Sequence, residues 1–287
     1  DFALKKGGEG AVLEEAVEHF MQDFYPELIL AHKADVVGRP DIRITNPPAG
    51  GALGSPVGLS IRVAVYPKVL LPKDWKKIGE FIPLELVLPA SDEEVSQTLE
   101  SLRASSVKAL GGQTKPLPEL NDAFAKSVGA FQTMEELSQK IRQGIGEEKE
   151  RAAKDTRRGK IIDALINKIK IEIPKIFVES ELEKIISQMK EDVTRFGLPY
   201  EAYLQKINKT EGTLRNDFRD QAKKRAKLQL TLNKIVEEEK IEAEEEAVKT
   251  EMEHARKHFP DAKPDLLRIH IETVLRNEKV LRLLESE

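Results

Sequence analysis

From residue 113 to its end the chain places 34 acidic and 34 basic side chains among 175 residues, with only six glycines and six prolines. A stretch so charged and so poor in chain breakers can bury itself only as amphipathic helices, each showing a narrow apolar stripe and a wide charged face. The 112 residues before it have the opposite character. They hold 11 of the 17 glycines, 9 of the 15 prolines and 28 charges with a net of −4. That composition specifies short helices and strands joined by many turns. The two parts meet at Gly111-Gly112-Gln113-Thr114, a natural flexible linker or an artificial join. At 287 residues the length suits about two domains.

Several function classes drop out. There is no cysteine, so there is no disulfide framework, thiol nucleophile or cysteine-ligated metal. A net charge of −4 gives no global basic field to attract nucleic acid or anionic lipid. No apolar run approaches the ~18 residues that a membrane span needs. The chain starts at Asp1, which reads as a mature or truncated product whose signal peptide, if any, is gone.

Periodicity predicts a helix over 11–20, with Leu13, Ala16, Val17 and Phe20 on one face, and a second over 24–32 with Pro26 in its first turn. Alternation predicts strands over 41–45 and 59–66 around a loose hairpin loop at 46–58. Lys68–Leu71 and Leu84–Leu88 read as extended. Pro72 and Pro83 confine them to sheet edges or linker. Ser91…Glu94, Thr133…Glu136 and Ser180…Glu183 match the capping box, in which a hydroxyl and a carboxylate trade bonds with each other's main chain. They open expected helices ending near 105, 169 and 196. Further helices are expected over 200–207, 210–239, 242–258 and from 264 to 275 or 284.

Catalytic motifs are scarce. Gly7-Gly8-Glu9-Gly10 has no strand before it and makes a poor phosphate loop. His254 and His258 lie four apart with Glu251 just upstream, a metal-pair spacing without a third ligand, so a solvated face is the simpler reading. Glu237–Glu246 holds seven glutamates and one lysine and reads as a helix junction. Arg219, Lys223, Lys224, Arg225 and Lys227 form a basic run without an aromatic for base stacking. The informative signal is apolar. Phe196, Leu198, Tyr200, Tyr203, Leu204 and Ile207 gather at the break after Gly197, with Leu182, Ile185, Ile186 and Met189 just upstream. Phe259, Leu266, Leu267 and Ile271 gather at another break. A two-helix arm is too thin to enclose all of these, and exposed apolar patches mark binding surfaces.

Leu117-Pro-Glu-Leu-Asn-Asp-Ala-Phe-Ala-Lys126 resembles the segment that opens the C-terminal domain of bacterial trigger factor. Thr133-Met-Glu-Glu-Leu137, the 147–158 stretch, Ile161-Ile-Asp-Ala-Leu165 and the Ile-Pro turn within 171–178 continue the likeness. Ala11–Val17 and Gly38-Arg-Pro-Asp-Ile42 resemble that family's N-terminal ribosome-binding domain, and Val65–Val69 with 88–103 its exit. The family's docking motif, Gly-Phe-Arg-x-Gly-Lys, is not in the chain. By register it falls before Asp1, which leaves Lys5 and Lys6 as the ribosome-proximal residues. The family's FKBP-like prolyl isomerase domain needs roughly 100 residues. The interval between Arg103 and Leu117 has no room for it.

The resemblance implies a multidomain α+β fold. A small N-terminal α/β ribosome-binding-like domain (1–87) and a linker helix (88–112) precede an elongated all-α C-terminal domain with two helical arms (113–287). The expected function is ATP-independent, non-enzymatic chaperoning in the cytoplasm, without cofactor, metal or membrane. The partners implied are unfolded or nascent polypeptides, the ribosome and, for a homodimer, a second copy. Client contact is assigned to Leu182, Ile185, Met189, Phe196, Tyr200, Tyr203, Leu204, Phe259 and Leu266. Two alternatives stay open: a ribosome-associated adaptor or assembly factor that uses its helices as a spacer, and a periplasmic survival-factor-type chaperone.

Overall fold

The computed structural model describes residues 2–46, 57–109 and 117–286, with side chains from 13, except at 107–109. The hairpin loop and the glycine-rich joint at 111–114 therefore lie outside the described residues. The chain is mostly helical with one two-stranded sheet. It packs as two compact units, each built from two separated stretches. Residues 1–71 join 169–240, and residues 72–168 join 241–287. These units are a division by packing; the domains over 1–87, 88–112 and 113–287 are what the family resemblance implies.

In the first unit, α1 (Phe2–Asp23) and α2 (Tyr25–His32) are joined by a tight turn across which Phe20 and Phe24 stack at 5.2 Å. Strands β1 (Val36–Asn46) and β2 (Gly58–Val65) pair antiparallel, with Ile42 opposite Ile61 and Asn46 opposite Gly58. The register slips between Val37 and Asp41. Pro40, which lacks an amide donor, sits within that bulge. Gly38 in the same bulge has φ +75°, and a Cβ there would meet the terminal methyl of Ile176, which can turn aside. The position calls for glycine by its backbone conformation.

Ile169–Pro174 runs without regular structure before α6 (Lys175–Arg195), which opens directly after Pro174. Ser180 and Glu183 thus lie inside α6. The proline overrides their cap pattern, because Pro174 cannot continue a helix backwards. Then come α7 (Tyr200–Lys206), α8 (Glu211–Asp217) and α9 (Arg219–Glu239). The expected helix over 210–239 is real, with a turn at Phe218 dividing it. Leu182, Ile185 and Val178 of α6 pack on Ala222 of α9, with Phe218 and Ile173 at the margin. Tyr66 ties the sheet to this pair. Its ring meets the Phe177 ring edge-on at 5.7 Å, and its hydroxyl accepts from Asn233 Nδ2 at 3.2 Å.

In the second unit a 3-10 segment (Trp75–Phe81) precedes α3 (Asp92–Ala109), α4 (Asp122–Val128) and α5 (Met134–Lys168). The Ser91 box is complete: Glu94 N donates to Ser91 Oγ at 3.2 Å, and Ser91 N donates to the Glu94 carboxylate at 2.8 Å. At α5 the box is half made. Glu136 N donates to Thr133 Oγ1, while the Glu136 carboxylate takes the amide of Gln132. Val95 and Leu99 meet Phe124, Ala125 and Leu137 in one core cluster. Helices α10 (Glu245–His258) and α11 (Pro264–Ser286) complete the unit. Trp75, Ile78, Ile161, Leu165, Val280 and Leu284 are buried on the 3-10 segment, α5 and α11, which contact one another. Arg157 locks that junction by donating to the Gly79, Ile82 and Glu285 carbonyl oxygens at 2.6–3.0 Å. Beside it, Arg158 pairs with Glu278 and Glu285, which raise its pKa further.

Candidate functional site

Among the described residues, two apolar surfaces open to water coincide with the breaks that the sequence singled out, and in each the local chain geometry explains why. The first is the tip formed by α6, α7 and α8. Helix α6 ends in a Schellman turn, with Gly197 N donating to Thr194 O at 2.9 Å and Leu198 N to Val193 O at 3.2 Å. Gly197 takes φ +76°, the left-handed value this turn requires. The turn projects Phe196 into solvent, where it is 83% exposed, with Leu198 exposed next to it. Pro199 then opens α7. That helix ends in the same motif, with Asn208 at φ +52° and Lys209 N donating to Leu204 O. Two stops in quick succession leave α7 too short to bury Tyr200, Tyr203 and Leu204 fully, and all three are half-buried.

Charge holds the tip in shape. Lys190 Nζ sits 4.9 Å from the centre of the Tyr200 ring and 2.9 Å from Glu211. The Glu211 carboxylate holds the Lys190 ammonium above its ordinary pKa. Burial, with Glu211 beside it, pushes the Tyr200 phenol up. The Tyr200 hydroxyl has no hydrogen-bond partner among the described residues. Further along the arm, Glu179 accepts from Arg219 and Arg215, whose guanidinium groups hold its carboxyl below the usual value.

The second surface is on α10 and α11. Phe259 follows α10 and is exposed, as are Leu266, Ile269 and Val274 on the outer side of α11. Ile271 lies across the helix from them and is buried, and further along the helix Val280 and Leu284, at nearly the same helical angle as Leu266, are buried too. Arg268 forks onto Glu245 at 2.6 and 3.1 Å, and Lys279 reaches Glu244 at 2.8 Å. These pairs fasten one side of α11 to the start of α10.

Two expected contact residues are corrected. Leu182 is 0% exposed and Ile185 is buried, because α9 covers the stripe of α6 that carries them. Met189 is half-buried; Phe196, Phe259 and Leu266 are open. Sequence reasoning passed over Ile269 and Val274, which continue the Leu266 stripe at helical spacing. It also passed over Leu84, Leu86 and Leu88 as contact residues, exposed in a segment read as an extended sheet edge or linker. Lys5 and Lys6 fall in α1, where the backbone alone is described.

The remaining motifs are accounted for by ordinary contacts. His254 and His258 are exposed on α10, and among the described residues no group of three metal-type donors assembles. Glu237, Glu244, Glu245 and Glu246 pair with Lys234, Lys279, Arg268 and Lys249. In the basic run Arg219 is committed to Glu179. Lys227 is half-buried, and its pKa is lowered by burial and then by Lys223. Among the described residues no helix is long and apolar enough to cross a membrane.

Fold and surface define a helical, ion-paired chain with a small β-hairpin and separate apolar surfaces left in water. The model of bacterial trigger factor protein (TF) matches residues 2–102, and that of its C-terminus matches 133–285. The chain belongs to the trigger factor family. It is 37% identical over 186 residues to a trigger factor of Caldicellulosiruptor bescii, covering 63% of this chain and 41% of that one. It is 36% identical over 188 residues to one of Caldicellulosiruptor saccharolyticus, covering 64% and 42%. The chain thus spans under half the length of these relatives. A solved trigger factor chaperone, described for promiscuous substrate recognition in folding and assembly activities, has a similar fold. Its TM-score is 0.51 at 18% identity, covering 99% of this chain and 86% of that one.

Proposed function

We propose that the chain is an ATP-independent chaperone that holds unfolded or nascent polypeptides on the tip around Phe196 and on the exposed face of the first half of α11. The carrying observation is the pairing of open apolar side chains with a frame closed by ions. Phe196, Phe259, Leu266, Ile269 and Val274 stay in water on helices whose other contacts are satisfied by salt bridges. Burying ~400 Å² of apolar surface against a client gives at most ~10 kcal/mol. Association and ordering cost about 4–15 kcal/mol. Several weak patches acting together give a net affinity that lets clients leave without nucleotide. The N-terminal match over 2–102 supports ribosome association in the cytosol, with Lys5 and Lys6 nearest the docking face, and a homodimer belongs to the same reading.

The reading has no catalytic step. The family's isomerase domain has no counterpart between the matched stretches, which leave only 103–132 between them. A proline-isomerisation assay should return the uncatalysed rate. The main test is light scattering of a denatured client diluted into the protein. Phe196, Tyr203 and Leu204 changed together to Ser should lose most of the suppression of aggregation while helix content stays constant. Full suppression by that variant, and by its counterpart at Phe259, Leu266 and Ile269, would rule out these surfaces.

A further inference from the structure

Between the 3-10 segment and α3 the chain reads Pro83-Leu-Glu-Leu-Val-Leu-Pro89, and no helix or strand forms there. Its ends are pinned to one side of α5. Arg157 Nε donates to Ile82 O at 2.6 Å, and Arg142 Nη1 donates to Ala90 O at 3.1 Å. Fifteen helical residues separate the two arginines, a distance of ~22 Å at ~1.5 Å per residue. Eight residues must cover a comparable span, which asks for a nearly extended backbone at ~3.3 Å per residue. The prolines bias Ile82 and Leu88 the same way.

In an extended run alternate side chains share a face. Leu84, Leu86 and Leu88 are 47%, 89% and 66% exposed, Val87 between them is half-buried, and Glu85 pairs with Lys160 of α5. No main-chain hydrogen bond joins residues 84–88 to any other described residue. The segment is therefore an extended run outside any sheet, whose amides and carbonyls pair with no other described residue, beside a row of leucines. At its upstream end a hollow of about 340 Å³ opens between Ile78, Phe81, Ile82 and Ala164.

We propose that Leu84–Leu88 accepts an extended apolar segment of an unfolded polypeptide as an added β-strand. This rests on the chaperone reading and adds to it a recognition mode based on main-chain hydrogen bonds. Cross-strand pairing with the three leucines selects a segment whose alternate residues are apolar, and the hollow takes one larger side chain beyond Leu84. Surface area decides between occupants. The three leucines together offer about two side chains' worth of apolar surface, on the order of 200 Å². Doubled by a second copy this reaches ~400 Å², well under the ~1,000 Å² of a specific protein–protein interface. A peptide strand needs less, because its hydrogen bonds supply what the area does not. Pro83 and Pro89 limit pairing to five residues and stop the edge from recruiting strands without end.

The test titrates the full chain into a fluorescein-labelled nine-residue peptide with valine or leucine at alternate positions and reads anisotropy. Leu86→Ser, at a site too exposed to matter for folding, should weaken binding at least fivefold. The triple change of Leu84, Leu86 and Leu88 to Ser should weaken it at least tenfold. N-methylation of the amides along one edge of the peptide should cost a similar factor, and along the other edge little. Equal binding by Leu86→Ser, or tolerance of N-methylation on both edges, overturns the proposal. So does a concentration-dependent dimer in sedimentation velocity that Leu86→Ser abolishes, since the segment then serves a second copy. If the peptide ignores 84–88 while denatured client is still held, the strand mode falls and the chaperone reading stands. If the chain holds no unfolded polypeptide at all, both fall.

Discussion

Leu182 and Phe196 lie fourteen positions apart on and just past the same helix, and their expected responses to substitution are opposite. Leu182→Ala removes a side chain that is 0% exposed at the α6–α9 contact and should cost ~2–5 kcal/mol, read as a lowered unfolding midpoint. Phe196→Ser alters a ring that stands mostly in water and should stay within ~0.5 kcal/mol while weakening client holding. A Phe196 variant as destabilised as the Leu182 variant would place that ring in a core. Tyr200→Phe tests the same logic on a polar atom. Its hydroxyl is buried without a partner among the described residues, so the change should leave stability equal or slightly higher, as a melting curve will show. This contrast marks what the candidate surface owes to the sequence. Phe196 and Phe259 were legible because a glycine or proline next to each forces a helix end, and helix ends cover little. Leu182 and Ile185 were not, because a stripe's periodicity says it faces something without saying whether that something is water or another helix.

At the level of elements, chain breakers were the readable signals and distant partners the unreadable ones. The ends at Gly197 and Pro264 and the complete box at Ser91 stand in the local sequence. The 3-10 segment over 75–81 does not. It is held by burial of Trp75 and Ile78 and by the guanidinium of Arg157, many residues away. Local pattern also misplaced the start of α6, where Pro174 outranks Ser180. Ion pairs between elements give this level its pH dependence. Arg219 and Arg215 hold Glu179 below the ordinary carboxylate value of 4.5, Lys149 and the Ser91 amide do so for Glu94, and Arg268 does so for Glu245. A carboxyl lowered in the folded state binds fewer protons there than in the unfolded chain. Its stabilisation is complete above about 4.5 and is lost as pH falls through the lower folded value. The melting temperature should be flat from pH 7 to about 5 and fall below that. Glu179→Gln should be less stable at neutral pH and lose less on acidification. A melting temperature that climbs as the solution is acidified would contradict the assignment.

On the scale of the whole molecule, the chain passes from one compact unit to the other after residues 71, 168 and 240. Composition suggests a cut near 112, where glycine and proline give way to balanced charge, yet neither unit survives that cut intact. The first would lose Tyr66 against Phe177 and Asn233, and Gly38 against Ile176. The second would lose Trp75 and Ile78 from the α5–α11 junction, along with Val95 and Leu99 from the cluster around Phe124. Residues 113–287 expressed alone should therefore melt lower than the full chain and exchange amide hydrogens faster in α6 and in the second half of α5. The newly bared apolar faces should make this fragment bind unfolded polypeptide less selectively, so its binding would say little about the intact surfaces. Mixing it with residues 1–112 should restore slow exchange in those helices and burial of Trp75, seen in its fluorescence. A fragment as stable and as slowly exchanging as the full chain would show that the helices fold without the N-terminal stretch, and the division at 112 would then describe packing as well as composition.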